Sequence, residues 1–221
     1  MKCLKSLALA AASAAALSAP LAAHAGLIVQ VSNGANTTTI FDNAAGDLDA
    51  LTGGVSWWGS IGAWEVAFAM GTSTTDPLQM HLTSSVAGNA GDGQITIKLT
   101  QTDLVAGATP IFFGAGGAGY GASGSAGSWS AYVDDSNAAF GTATTIFSSD
   151  SYTSAGGGLS VGLSGFYSAT LSTTIDYAGV SARTPVGSSM DVGMNVPEPG
   201  SMALMGSGLL ALFATKRRRK A

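Results

Sequence analysis

Short runs in which apolar and polar residues alternate limit most strongly what this chain can fold into. The alternating runs are LIVQV (27–31), LQMHLT (78–83), ITIKLT (95–100), ATLSTTIDY (169–177) and MDVGMNV (190–196). A period of two is typical of strands that bury one face, and here it places Thr100 and Thr170 on the outward face. Turn-forming residues separate the runs. We therefore predict one antiparallel β-sandwich, jelly-roll-like, over residues 26–195.

Glycine is abundant, with 31 of 221 residues, and charged residues make up only 10% of the chain. The richest stretch is GAGGAGYGASGSAG, residues 114–127. Low-complexity Gly/Ser segments usually behave as flexible connections. We therefore expect a mobile loop at 114–127 between strands near residues 111–113 and 129–133.

The N-terminal 25 residues have the three parts of a secretory signal peptide. A basic start is followed by an apolar run, and Ala23-His24-Ala25 forms an A-x-A cleavage site. This segment is predicted to be a cleavable signal helix, and cleavage after Ala25 would make Gly26 the first mature residue. The only cysteine, Cys3, lies in the part that is removed, so the mature protein is expected to have neither disulfides nor thiolate metal sites.

The C-terminal end combines an uncharged, mostly apolar segment, 201–215, with a basic cluster. The cluster consists of Lys216, Arg217, Arg218, Arg219 and Lys220. Fifteen helical residues span about 22 Å, so we predict a short transmembrane helix whose basic end stays cytoplasmic. Between residues 26 and 195 there are twelve acidic and two basic residues, a net charge of -12 + 2 = -10. An acidic body of this kind argues against nucleic-acid binding.

The order of these C-terminal parts resembles the PEP-CTERM sorting signal of Gram-negative bacteria. The matching residues are Val196, Pro197, Glu198 and Pro199, then the apolar segment 201–215, then the basic cluster. The resemblance implies that residues 196–221 are a sorting tail read by an exosortase, a membrane-embedded enzyme that cuts near the Pro-Glu-Pro. A precursor anchored transiently in the inner membrane would then pass to the cell surface or an extracellular polysaccharide matrix. The alternative is a plain membrane anchor with a chance Pro-Glu-Pro.

Two glycine-rich motifs lack the context that their chemistry needs. Residues 114–119 spell G-x-G-x-x-G, but more glycine and serine follow where a dinucleotide site requires a helix. Residues 158–162 spell G-x-S-x-G around Ser160, but no histidine follows it, and His81 is the only histidine of the mature chain. We predict no catalytic residues and no cofactor.

The sequence also offers few residues suited to binding a metal ion or to glycosidase catalysis. The weak calcium candidates are Asp42, Asp47 and Asp49, whose oxygens suit calcium but equally suit caps on turns. A glycosidase needs two carboxylates. Glu65 is the only glutamate before the tail, and alternation places it opposite the face shared by Trp64, Val66 and Phe68.

Four tryptophans raise the prospect of carbohydrate binding. Trp57 and Trp58 are adjacent, so in a strand they point to opposite faces and at most one is core. The other is a candidate glycan contact, because an exposed indole stacks well on sugar rings. We expect a non-enzymatic surface or exopolysaccharide-matrix protein. The alternatives are a carbohydrate-binding module and, below it, a secreted glycan-active enzyme.

Overall fold

The structure, a computed structural model, describes residues 26–75, 78–89, 92–106, 110–121, 126–150, 155–177 and 185–195. In these ranges all regular secondary structure is β-strand. The strands are β1 Leu27–Ser32, β2 Thr37–Phe41, β3 Gly54–Ile61, β4 Trp64–Thr75, β5 Leu78–Ala87, β6 Gln94–Val105, β7 Ile111–Gly121, β8 Ala126–Asp134, β9 Thr144–Ser149, β10 Ala155–Val161, β11 Phe166–Asp176 and β12 Val186–Asn195. The predicted all-β class is confirmed for this part of the chain.

The twelve strands form two six-stranded antiparallel sheets. Sheet 1 has the order β2-β1-β6-β11-β8-β9, and sheet 2 has the order β10-β7-β12-β5-β4-β3. Their inward side chains belong to one hydrophobic cluster, as expected for two sheets that face each other. The period-two runs explain this arrangement. Along β5, Leu78, Met80 and Leu82 are buried, whereas the residues between them are half-buried or exposed.

Aromatic side chains fill much of the core, and two tryptophans are structural. Trp64 donates a hydrogen bond from Nε1 to the Asp92 carbonyl at 3.2 Å and packs edge-on against Tyr177, with ring centroids 4.9 Å apart. Trp129 is fully buried in β8. Tyr177 donates to the Val86 carbonyl at 2.8 Å and so ties the end of β11 to sheet 2.

The expected loop at 114–127 is wrong, because most of this segment is strand. Residues 111–121 form β7 inside sheet 2, and residues 126–134 form β8 in sheet 1; residues 122–125 lie outside the described ranges. The strand β7 pairs with β10 on one side and β12 on the other, with Gly116 opposite Gly156. Backbone N–H and C=O groups form the hydrogen bonds of these ladders. A strand that is paired on both sides can therefore be held in the sheet with few contacts from its own side chains.

Thr100 and Thr170 lie on the outward face of sheet 1, as the alternation predicts, but both are buried because a loop covers that face. Residues 135–141 fold back over that face of sheet 1, and the Phe140 amide donates to Thr100 Oγ1 at 3.2 Å. The two threonine hydroxyls hydrogen-bond each other at 2.9 Å. Two hydrogen bonds between Asp103 and Asn137 hold the loop in place. The loop therefore buries polar side chains on part of the outer face of sheet 1.

The predicted signal peptide, 1–25, and sorting tail, 196–221, lie outside the described residues, and so do their predicted helices. Within the described ranges, no helix has the length and apolar character needed to cross a membrane. Gly26 is described. Its amide donates to Thr102 Oγ1 at 3.3 Å, and its carbonyl accepts from the Thr102 amide at 3.1 Å.

Candidate functional site

The outer face of sheet 2 exposes an aromatic cluster at the edge formed by β3 and β4. Trp58 is 67% exposed, and Phe68 and Met70 on β4 are 36% and 40% exposed. A β-bulge creates this cluster. Val66 pairs with Val86 and Phe68 with Ser85, so Ala67 is an extra residue in β4. The extra residue reverses the alternation, and it turns Phe68 to the same outer face as Trp58.

Trp57 and Trp58 lie on opposite faces, as the sequence predicts. Trp57 points inward and packs, half-buried, against the hydrophobic core. Its ring covers Gly59, where an added Cβ would come within 2.7 Å of the indole. Trp58 is therefore the member of the pair that is available for a glycan contact.

A cavity of about 520 Å³ lies further along the same edge of sheet 2. Its lining residues come from β4, from β5, from the loop between β2 and β3 and from the first residue of β3. They are Asp49, Leu51, Thr52, Gly53, Gly54, Thr72, Ser73, Thr74, Gln79, Met80 and His81. Thr72 and His81 are register partners on the outer face. By area the wall is mainly apolar, and its polar groups are hydroxyls, one side-chain amide, one carboxylate and one imidazole.

The three calcium candidates hold the loop between β2 and β3 in shape. Asp47 accepts hydrogen bonds from the amides of Asn43, Asp49 and Ser56, each at 2.9 Å. Asp42 accepts from the Gly53 amide at 2.9 Å. Asp49 accepts from the amide two residues later, at 3.0 Å. The described residues contain no group of three His, Cys, Asp or Glu side chains placed to bind a metal ion. These carboxylates therefore act as caps on the backbone.

The other sequence motifs are spread over separate strands. The first glycine motif, 114–119, lies within β7, and Ser160 lies on the edge strand β10, so neither is followed by a helix in the described ranges. Glu65 is exposed, on the opposite side of β4 from the buried Trp64 and Val66, as predicted. The prediction that Phe68 shares the buried face is wrong because of the bulge. No sequence signal marked that bulge, and Phe68 and Met70 were missed as surface residues.

Comparison with known protein families finds a match in the C-terminal tail. A family model described as the PEP-CTERM protein-sorting motif matches residues 195–219. The chain carries a PEP-CTERM sorting motif. The match covers the Val196–Pro199 motif, the apolar segment 201–215 and nearly all of the basic cluster, so the predicted resemblance to the PEP-CTERM sorting signal is confirmed. A PEP-CTERM motif implies export, processing by an exosortase and secretion by way of the membrane.

Comparisons of the body are much weaker. No curated protein matches this chain. Among solved structures, an arabinose-bound α-L-arabinofuranosidase has 10% identity and TM-score 0.29, with 62% of this chain and 23% of that one covered. The enzymatically active domain of bacteriophage CBA120 tailspike protein 4 has 13% identity and TM-score 0.29, with 62% of this chain and 20% of that one covered. TmCBM61 in complex with β-1,4-galactotriose has 10% identity and TM-score 0.25, with 68% of this chain and 90% of that one covered. Likeness this low carries no argument about the body's function.

Proposed function

We propose that the mature protein is a non-enzymatic component of the cell surface or of an exopolysaccharide matrix, released there after an exosortase processes its tail. The PEP-CTERM motif at 195–219 is the observation that carries this proposal. The last described strand, β12, ends at Asn195, so a cut near the Pro-Glu-Pro would leave every described strand intact.

The make-up of the body supports a structural role in preference to catalysis. The carboxylates of Asp42, Asp47 and Asp49 are engaged by the backbone of their own loop. Glu65 is exposed on the outer face of sheet 2 and has no glutamate to pair with it in the body. A retaining or inverting glycosidase needs two carboxyl groups facing one bond.

Intact-mass measurement of the secreted protein tests the processing step. The wild-type mature species should begin at Gly26 and lack most of residues 200–221. Replacing Pro197, Glu198 and Pro199 together with alanine should leave a full-length tail and hold the protein in the inner membrane. The matched control replaces the exposed Pro185 and Glu65 with alanine, and it should be processed normally. A secreted wild-type species that ends at Ala221 would contradict the proposal.

Carbohydrate binding by the body is a second candidate function, favoured by the exposure of Trp58. An indole that is two-thirds exposed is unusual for so large an apolar side chain, and flat aromatic faces suit sugar rings. Retention of the secreted protein on its host's matrix polysaccharide tests this candidate. Equal retention of the wild type and Trp58→Ala would count against it.

We also propose the finer fold class, a jelly roll with two added strands in each sheet. Strands β5 to β12 change sheet at every connection except β8–β9, and they form the four-stranded orders β10-β7-β12-β5 and β6-β11-β8-β9. The strands β1 and β2 extend one sheet, and β3 and β4 extend the other. A two-sheet arrangement of eight such strands is the pattern of a jelly roll.

A further inference from the structure

We propose that the outer face of β3, β4 and β5 binds one chain of a neutral polysaccharide, which lies from Trp58 along β4 to the cavity beside His81. This site deepens the carbohydrate-binding candidate and rests on it. The surface is called the β4 track below, and its outward residues on β4 are Phe68, Met70, Thr72 and Thr74.

The bulge in β4 is the first argument for the track. Without the extra Ala67, regular alternation would place Phe68 on the buried face with Val66. The bulge gives up that burial, exposes the ring next to Trp58 and interrupts the ladder with both neighbouring strands. Bulges that re-aim a side chain are enriched at sheet edges and beside functional sites. An exposed aromatic pair of this kind provides two stacking surfaces for sugar rings.

The second argument is the continuity between the aromatic cluster and the cavity. Met70 is opposite Thr83, Thr72 is opposite His81, and Thr74 is opposite Gln79, so one outward row runs without a break along two strands. From Phe68 to Thr74 the row is about 20 Å long, at a rise of about 3.4 Å per residue. That length suits several consecutive sugar rings. The aromatic end would stack on a ring, and the cavity end offers hydroxyl, amide, imidazole and carboxylate groups that match sugar hydroxyls.

The charge of the surface selects the class of polysaccharide. Lys98 is the only lysine or arginine in the described ranges, and it lies on β6 in the other sheet. The track itself is flanked by Glu65 at one end and Asp49 at the other. A polymer that carries uronate or sulfate groups would meet like charge, with no lysine or arginine of the described residues on this sheet to pair with it. A neutral chain avoids that repulsion.

Affinity electrophoresis of the protein, purified in the form that its host releases, tests this inference. Native gels would contain dextran, galactomannan or mixed-linkage β-glucan as neutral probes and alginate as the anionic probe. At least one neutral probe should slow the wild type, alginate should not, and the shift should persist from low to high salt. Trp58→Ala should raise the apparent Kd about fivefold, the factor expected for loss of one stacked ring. Phe68→Ser should act in the same direction.

Phe41→Ala is the matched control, because Phe41 is 53% exposed but lies on β2 in the other sheet. It should leave retardation unchanged, and melting temperatures should show that all three variants fold. The inference is overturned if no neutral probe slows the wild type or if alginate slows it more. It also fails if Trp58→Ala and Phe41→Ala behave alike. Processing of the tail is not read in these gels, so failure here is distinct from failure of the sorting proposal.

Discussion

Replacing Thr173 with valine should stabilise the protein, because its buried hydroxyl makes no hydrogen bond within the part of the chain that the structure describes. Thr173 is fully buried on β11 and lies between Trp129 and Ile97 in the ladder. Its Oγ1 has no hydrogen-bond partner among the residues that the structure describes. A buried hydroxyl in this state costs about 1–3 kcal/mol. Valine has nearly the same shape, so it removes that cost without opening a cavity.

The expected gain in the free energy of unfolding is about 1–2 kcal/mol. In a body of about 170 residues, each kcal/mol moves the melting temperature by about 2–4 °C. Thr173→Val should therefore raise the melting temperature by about 2–8 °C. Differential scanning calorimetry of the purified protein measures this directly.

Thr170→Val on the same strand is the matched control. The Thr170 hydroxyl is buried and bonded to Thr100 Oγ1, so its removal leaves Thr100 with one bond fewer. This variant should lose about 1 kcal/mol, and its melting temperature should fall by about 2–4 °C. If Thr173→Val lowers the melting temperature as much as Thr170→Val does, the Thr173 hydroxyl has a partner and the reasoning is refuted. Thr173→Ser keeps the hydroxyl and loses a methyl group, so it should destabilise in either case.

Three further predictions follow from the same contacts. Trp57→Ala should lower the free energy of unfolding by about 2–4 kcal/mol in urea titrations, whereas Trp58→Ala should change it by less than about 0.5 kcal/mol. Asp47→Ala should lower the free energy of unfolding by about 2 kcal/mol and speed proteolysis within residues 42–54, because the loop loses the carboxylate that accepts hydrogen bonds from three backbone amides. EDTA should leave the wild-type melting temperature unchanged, because the loop carboxylates already accept hydrogen bonds from backbone amides. Burial raises the pKa of the Tyr167 hydroxyl to about 12. The folded protein therefore keeps this proton longer than the unfolded chain, whose tyrosines titrate near 10, and stability should fall by up to about 1.4 kcal/mol per pH unit between about pH 10 and 12. Unfolding of Tyr167→Phe over the same range should show a shallower fall.

Period-two patterns were sufficient to predict strands wherever apolar side chains mark the buried face. The runs in β1, β5, β6 and β11 were found this way because each buries one row against the opposite sheet. Only the start of β7, residues 111–113, was predicted as strand. The rest of β7 was missed because glycine and alanine leave no such row, and its place is fixed by backbone pairing with β10 and β12. Pairing between distant segments cannot be read from a local pattern.

The candidate site was predicted only in part, for a related reason. Strand geometry placed Trp57 and Trp58 on opposite faces, but which one is buried depends on the position of β3 at the edge of sheet 2. One extra residue in β4 then brought Phe68 to the surface, and this insertion is visible only in the register with β3 and β5. The sorting tail was predictable because its three parts are consecutive in sequence.

The position of β12 has a consequence for the order of biogenesis. This strand borders the sorting motif, yet it is an interior strand of sheet 2, between β7 and β5. Sheet 2 therefore cannot close until translocation has delivered the residues that adjoin the tail. If the tail is held in the membrane before it is cut, as the proposed route requires, the body would complete its folding while tethered there. An exosortase that cuts too early would release a chain whose β5 and β7 edges are still open, and such edges promote aggregation.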